Sequence, residues 1–592
     1  MLAVATGAAV ADIDRGRLLL GRDADLVHLI ARDELDEVAG PRHQAIHIGL
    51  DLLGRAIALA IDIDLPREEG LIQSPVIELD DGGLYETFFS WEVYVNGQRY
   101  GTTKKVETYV DGLVPGTRNL IKLVSGDEVY EVGVTTEQES ATIDVRDCGA
   151  RGDGEHDDTC NIQAAIMACP EQGRVLVPAG RYIVKSLFLK SGVSIELMEG
   201  AHLLARHDRD ELAYIPGTLK GTQGMGREAS GLFPLGRWEG ESISTYCSLI
   251  TGIGVHDVCV YGRGIIDGCT DFAPDNWWHN VKDLYRPNEG RDIARPRMVF
   301  LSECSHVSLV GITVRNSPAW NIHPVLSDHV DALCLKIEGP KNSHNTDGMD
   351  PESCSFVRIM GCEFSVGDDC IAIKSGKLTI DRELRPATHD MLVAHCLMHD
   401  GHGAVVLGSE AAGGIKDLTV RDCDFRRTDR GLRIKTRRGR GTDAVNEGIL
   451  FTNIHMDHVL TPFVVNAFYF CDRDGKTDYV QSREPQPIDE RTPGFGALEF
   501  RDIAATGCAA AAAWITGLPE RKISELIFDD VQISFDPDAE PAVPAMASGV
   551  EPMLHQGIIA QNVKRLVLRH VSIEGAEGDE LQLTNVDEVV HL

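Results

Sequence analysis

The chain has 592 residues, with 91 Asp and Glu against 57 Lys and Arg, a net charge of −34, and 43% apolar residues. So acidic a field disfavours nucleic acid, and no apolar run approaches the roughly 18 residues of a membrane span, so neither partner is expected. The 15 cysteines are odd in number and too sparse for a small disulfide scaffold.

The first element is a repeat seen only through the genetic code. When residue i is paired with residue 157−i, each codon is compatible with the reverse complement of its partner. Trp91 (TGG) read on the opposite strand gives Pro, and its partner is Pro66. Phe88 and Phe89 face Glu69 and Glu68, and Lys104 and Lys105 face Leu53 and Leu52. Every pair from 1 with 156 to 78 with 79 obeys the rule, so codons 1–156 read as an inverted repeat centred between Glu78 and Leu79. Residues 1–78 lack Lys and show no strand or turn text, whereas 79–156 do. We therefore expect 1–78 to be an antisense fold-back arm with no native fold, the alternative being a genomic palindrome. The natural N-terminus, with any signal peptide, would then be absent. Without that arm, which holds 7 Arg and 14 Asp and Glu, the net charge is still −27.

Residues 79–140 predict short strands. "FSWEVYVNG" alternates and ends at Asn96-Gly97, a hairpin signal. "VETYVDGLVPGTRNLIKLV" turns at Pro115-Gly116, and "DEVYEVGVTT" alternates again. With its "GLVPGT" turn, this stretch resembles the later strands of a fibronectin type III module, which implies a truncated β-sandwich whose first strands are missing.

The main domain opens at about residue 141. Asp158 or Thr159 is placed to cap a helix over about 160–169, with Ile162, Ala165, Ile166 and Cys169 as its apolar face. From about residue 300 the text becomes quasi-periodic: "HVSLVGITVRNS", "HVDALCLKIEGP", "FVRIMGCEFSVG", "IKDLTVRDCDFR". Each unit is two brief apolar strands joined by one or two polar or Gly residues, with no intervening helix, which predicts an all-β parallel β-helix. Cysteines 304, 334, 354, 362, 370, 396 and 423 fall on or beside these strands and read as buried core thiols. With no CxxC pair, no metal is expected.

Four segments stand out on successive coils: Asn345-Thr346-Asp347, Gly367-Asp368-Asp369, Gly401-His402-Gly403 and Arg433-Ile434-Lys435. Singly, each has a bland reading as a turn, a solvated loop, a structural His or a wet charged strand. Coils stack about 4.8 Å apart, so segments on successive coils converge on one face. Arg433 and Lys435, two apart on a strand, point the same way. Clustered carboxylates cannot all ionise cheaply, so one is expected to be held protonated. A pair about 6.5–9.5 Å apart would suit inverting glycoside hydrolysis. The run Arg426, Arg427, Arg430, Arg433, Lys435, Arg437, Arg438 and Arg440 offers a cationic patch for an anionic substrate, and Lys374 a further carboxylate contact or a solvated Lys.

The four motifs in this order resemble glycoside hydrolase family 28, the polygalacturonases, across about residues 142–592. The resemblance implies a right-handed parallel β-helix of the pectin-lyase type and inverting hydrolysis of α-1,4-galacturonosidic bonds without a cofactor. It implies Asp368 as general acid, Asp347 and Asp369 as holders and activators of the attacking water, and His402 tuning the acid. Asn345 belongs to the first motif and is carried as a substrate-binding candidate with Lys374, while Arg433 and Lys435 would take the substrate carboxylate. The N-terminal module resembles the layout of bacterial exo-polygalacturonosidases, and the inserts 215–242 and 466–496 are expected to close one end of the groove, which implies exo action releasing mono- or digalacturonate; their bland reading is loops that simply cover the solenoid. An endo enzyme is the alternative, with a pectate lyase or a non-catalytic carbohydrate-binding solenoid more remote. A plant-wall substrate implies a secreted or periplasmic location.

Overall fold

The computed structural model describes residues 75–206, 211–220, 232–273, 276–279 and 295–592, together with the backbone of four strands, Ala9–Asp12, Arg17–Leu19, Ile46–Asp51 and Ala56–Asp64. Most of residues 1–78, on which the inverted-repeat expectation falls, lie outside the described residues, as does much of the Gly-rich insert 215–242. The chain divides into two compact units, residues 1–140 and 141–592.

In the first unit, Glu86–Val95 and Gln98–Lys105 form a hairpin. Asn96 and Gly97 both take positive φ at its turn (51° and 82°), the geometry whose twist suits two adjoining strands. Glu86–Val95 pairs antiparallel with Arg118–Ser125, which pairs in turn with Glu128–Thr135. A second antiparallel set joins Ala56–Asp64, Val76–Asp80 and Glu107–Tyr109. Alternation places Trp91, Val93, Ile121, Leu123 and Val132 in one core with Ile77 and Leu79. The strand Val76–Asp80 crosses the centre of the inverted repeat, and both of its inward residues are buried.

The second unit is a parallel solenoid. After two short ladder strands, Thr142–Asp144 and Asp153–Asp157, comes a helix, Thr159–Ala168, that buries Ile162, Ala165 and Ile166. Asp158 stands at its N-terminus without a side-chain capping bond. Its carboxylate instead accepts the backbone N–H groups of Arg151 and Gly152 at 2.8 and 3.0 Å, so the preceding loop outcompetes the helix end for it.

Among the described residues, 29 strands form one ladder in which each strand pairs in parallel with its equivalent on the next coil. One face runs Ser305–Val310, Asp328–Leu333, Ser355–Met360, His389–Ala394, Ile415–Arg426 and Val445–Asp457. Another runs Ile371–Ile373, Val405–Leu407, Arg430–Lys435, Thr461–Asn466, Ala511–Thr516 and Gln556–Arg569. A register corner recurs between strands: Gly311, Cys334, Gly361, His395, Asp422, Asn453, Asp502, Asp530 and His570 all take positive φ. This left-handed residue turns the chain between the two apolar pieces of each coil, and it explains the Gly and short polar residues found there.

Val, Ile, Leu and Phe fill the interior, and Cys304, Cys354, Cys362, Cys370, Cys396 and Cys423 lie among them as free thiols. The Cys362 Sγ–H donates to the Ala332 carbonyl at 3.3 Å. Cys334 lies beside a strand as expected, at the left-handed corner, but departs from the buried-core reading in being only half-buried. Among the described residues no helix is long and apolar enough to cross a membrane.

Candidate active site

Backbone ladder bonds carry the four motifs to one place. Asn321 N–H donates to Asp347 O (2.8 Å), Gly348 N–H to Asp369 O (3.0 Å), Cys370 N–H to Gly403 O (2.8 Å) and Ala404 N–H to Arg430 O (2.9 Å). The turns holding Asp347, Asp369 and His402 thus stack coil on coil, just before the strands of the face that carries Arg433 and Lys435. Leu432 and Ile434 point into the core, so the alternate residues Arg433 and Lys435 point outward.

Each turn is fixed locally. Thr346 Oγ1 lies 2.6 Å from Ser343 Oγ and accepts from Gly367 N at 3.2 Å, locking the first motif to the second. Asn345 Oδ1 accepts from Arg295 Nη2 at 2.8 Å, so its side chain orders the turn. Gly367 leaves no room for a side chain, because a Cβ there would stand 2.3 Å from the Ser343 carbonyl oxygen. That close approach lets the double Asp turn sit beneath the first motif.

Asp347, Asp368 and Asp369 each bring an oxygen within 4.8 Å of the others. This is tighter than the separation expected for two carboxyl groups working across a sugar ring, because the residues lie on adjacent stacked turns. One water with two hydrogen bonds of about 2.7 Å can bridge oxygens at such a distance.

The three carboxyls occupy different electrostatic environments. Asp369 is fully buried, yet Arg433 Nη1 donates to its Oδ1 at 2.9 Å and Lys435 Nζ to its Oδ2 at 2.7 Å. Burial alone would raise its pKa, but Lys435 and Arg433 outweigh it and hold the carboxylate well below its usual range. Asp347, also buried, has an Oδ1 with no hydrogen-bond partner. Burial first, and then the Asp368 and Asp350 charges, hold it well above that range. Asp350 is pushed up to about 8 by burial, against the pull of Lys374. Asp368 is half-buried and accepts the Asp369 backbone N–H at 3.0 Å.

His402 is exposed, and its Nδ1 lies 2.9 Å from Asp429 Oδ2. That bond, followed by the charges of Asp368 and Asp369, raises the imidazole pKa despite partial burial. Asp429 is held low by the same contact and by Arg430, against its own burial.

Lys374 is buried, 3.3 Å from Asp350 and 3.4 Å from Glu410, with its ammonium 4.6 Å from the centre of the Trp320 ring. It is neither a solvated lysine nor an unengaged cation. The broad cationic patch also needs correction. Arg437 pairs with Asp472 and Asp474, Arg440 with Asp472, and Arg438 with Glu520. Arg430 pairs with Asp429, Arg426 with Asp424 and Arg427 with Asp400. Within this run only Arg433 and Lys435 bond the carboxylate cluster, Arg430, Arg437, Arg438 and Arg440 hold loops onto the solenoid, and Arg426 and Arg427 pair with carboxylates on their own and the neighbouring coil. The partners of Arg437, Arg438 and Arg440 come from distant sequence, at Asp472, Asp474 and Glu520, so the run alone gave no sign of their internal use.

Residues without a sequence signal complete the surroundings. Tyr469 lies with its ring centre 5.6 Å from Lys435 Nζ. Met546 Sδ accepts from Arg433 Nη2 at 3.5 Å and from the Tyr469 hydroxyl at 3.7 Å. Asp429, the His402 partner, was legible only as part of a charge run.

Stacked acidic turns beside two cations on a parallel β-helix place several carboxyl groups side by side, the kind of arrangement that carbohydrate cleavage by an acid and a base requires. Comparison with known proteins agrees. The sequence signature of Glycosyl hydrolases family 28 matches residues 207–540, and that of "Rhamnogalacturonase A/epimerase, pectate lyase-like" matches 142–196. A probable polygalacturonase of Vitis vinifera is 28% identical over 453 residues, spanning 74% of this chain and 84% of the relative. An exo-poly-alpha-D-galacturonosidase of Dickeya chrysanthemi is 26% identical over 473 residues, 72% of this chain and 74% of the relative. The solved family 28 exopolygalacturonase of Yersinia enterocolitica superposes with a TM-score of 0.61 at 19% identity, over 89% of this chain and 98% of its own. The chain belongs to glycosyl hydrolase family 28, the polygalacturonase family.

Proposed function

We propose that the protein hydrolyses α-1,4-galacturonosidic bonds of unesterified polygalacturonate with inversion, from a chain end, releasing mono- or digalacturonate. The observation that carries the reading is the geometry of one compact cluster: two cations on the Asp369 oxygens lower its pKa, while burial with an unbonded Oδ1 raises that of Asp347. Glycoside hydrolysis needs both forms at one bond.

In this reading Asp347 and Asp368 share one proton, and Asp368, the carboxyl nearer solvent, delivers it to the glycosidic oxygen as the C1–O bond breaks. Water held between Asp347 and Asp369 attacks C1 from the opposite face, and Asp369 takes its proton. The substrate carboxylate engages Arg433 and Lys435. Their bonds to Asp369 then weaken, and the carboxylate becomes a stronger base when substrate arrives. Between turnovers the proton taken by Asp369 returns to Asp368, relayed by Asp347, whose oxygen lies within 4.8 Å of both. His402 stabilises the ionised cluster, Asn345 orders the first turn, and Lys374 acts on the carboxyl charges from below.

Three contacts support exo action. Lys377 Nζ reaches Asp472 at 3.1 Å and Glu241 at 3.8 Å, tying the inserts at 215–242 and 466–496 to the same coil. Trp238 of the first insert stacks on Trp320 with ring centres 4.6 Å apart. Such bracing suits a groove stopped at one end. We read residues 79–140 as the truncated fibronectin type III-like module, the solenoid as right-handed, and the protein as secreted or periplasmic, where a wall polymer is met.

The test follows polygalacturonate cleavage by proton NMR and ultraviolet absorbance. Inverting hydrolysis gives β-anomeric reducing ends first and no unsaturated product. A rise in ultraviolet absorbance would point instead to β-elimination, and first-formed α-anomers would contradict inversion. Asp369→Asn should lower kcat by about 10²–10⁴-fold, the usual worth of a positioned acid or base. A non-catalytic solenoid would show no turnover to lose.

A further inference from the structure

The segment between the strands Ile523–Phe535 and Gln556–Arg569 had no motif to mark it, yet it reaches the active site. Ala542 and Met553 exchange backbone hydrogen bonds at 3.0 and 2.9 Å, closing the base of a loop. Ala545 is buried against Val464 and Trp514. Both are outward residues of the active-site face, in the same lateral row as Arg433. Side chains hold the loop by its backbone. Arg430 donates to the Val543 and Pro544 carbonyls at 2.8 and 3.1 Å, and Asn466 Nδ2 to the Met546 carbonyl at 3.1 Å. The loop is therefore docked, and Met546 is its point of contact with the cations. The Met546 side chain is partly exposed.

Arg433 divides its donors unevenly. Nη1 goes to the Asp369 carboxylate, while Nη2 goes to the Met546 thioether. A thioether is a weak acceptor, whereas a carboxylate takes guanidinium bonds strongly and in pairs. We propose that Met546 is a specificity-determining residue of the substrate cleft, capping Arg433 with an acceptor weak enough for a uronate carboxylate to displace. The proposal rests on the reading that Arg433 takes that carboxylate. A stronger acceptor at this place would compete with the substrate, whereas an apolar side chain of similar size would keep the wall and leave Nη2 available.

The experiment measures KM and kcat on unesterified polygalacturonate for the wild type, Met546→Leu and Met546→Gln. The Gln variant should show a KM at least about ten-fold above the Leu variant, equivalent to about 1.4 kcal/mol of binding, with kcat values within about three-fold. Peroxide gives an independent arm. It transfers one oxygen to the thioether, the sulfur losing two electrons and the peroxide leaving as water, and the sulfoxide is a polar acceptor. Treated wild type should gain KM while the treated Leu variant does not, which also covers a Gln variant that fails to fold. Equal KM values for Leu and Gln, or equal peroxide effects on wild type and Leu, overturn the proposal while the functional reading stands. A wild type that does not cleave polygalacturonate overturns both.

Discussion

Asp369 receives one cation on each of its oxygens, and this arrangement ties substrate binding to base strength. In the proposed mechanism this carboxylate stays a weak base until the substrate carboxylate draws Arg433 and Lys435 away, which would limit proton abstraction to the occupied site. His402 and Asp429 form the second residue-scale device. The imidazolium is favoured in the folded protein, so its contribution to stability is complete below its ordinary pKa of 6.5 and is lost as pH rises through the raised value. The Asp429 contribution has the opposite sense: present above the ordinary carboxylate value of 3.8, lost as pH falls through the depressed one. Because the Asp429 bond is the largest cause of the raised imidazole pKa, Asp429→Asn should move the alkaline limb of kcat/KM to lower pH. A limb that stays in place would remove His402 from the titrating acid of the free enzyme.

At the scale of elements, the solenoid was legible because its two signals are local. Paired apolar pieces marked the strands, and Gly or short polar residues marked the left-handed corners from Gly311 to His570. The site was legible to the same extent: Asp347, Asp368, Asp369, His402, Arg433 and Lys435 each sit in a short motif, and backbone stacking brings those motifs together. What sequence could not reveal is long-range pairing. Arg438 reads as one charge in a run, but it is buried, with Glu520 at 2.6 Å and the Tyr479, Val480, Ser482 and Glu484 carbonyls around it. Met546 lies in a Pro- and Ala-rich stretch with no periodicity, and only the docked loop shows its use. Asp158 misled for a related reason, since two loop N–H groups claim the carboxylate that local pattern assigns to the helix. The Arg438–Glu520 pair yields a prediction at this scale. Glu520→Ala leaves a buried guanidinium without its carboxylate and should destabilise the protein by about 3–5 kcal/mol in chemical denaturation. A loss within about 0.5 kcal/mol, the range of ordinary surface substitutions, would show that the carbonyls alone suffice to hold the 466–496 segment.

The whole molecule poses an electrostatic problem, because a chain of net charge −34 must capture a polyanion. The solution is local. Arg433 and Lys435 face the carboxylate cluster, while their cationic sequence neighbours are neutralised by loop carboxylates. Long-range repulsion therefore acts on the approaching polymer, and short-range attraction acts only on a sugar already in the cleft. Screening removes the first before the second, since the Debye length falls from about 30 Å at 0.01 M salt to about 8 Å at 0.15 M. Accordingly, kcat/KM on polygalacturonate should rise across that range, and a steady fall would mean that attraction dominates the approach.

Under the proposed function, the carboxylate cluster hydrolyses a uronide chain held in a groove stopped at one end. The most direct test is to incubate the protein with unesterified polygalacturonate, chromatograph the earliest products and follow ultraviolet absorbance in the same sample. A single saturated mono- or digalacturonate from the first time point is the predicted result. A ladder of saturated oligomers would contradict the closed groove, and an unsaturated product would contradict hydrolysis itself.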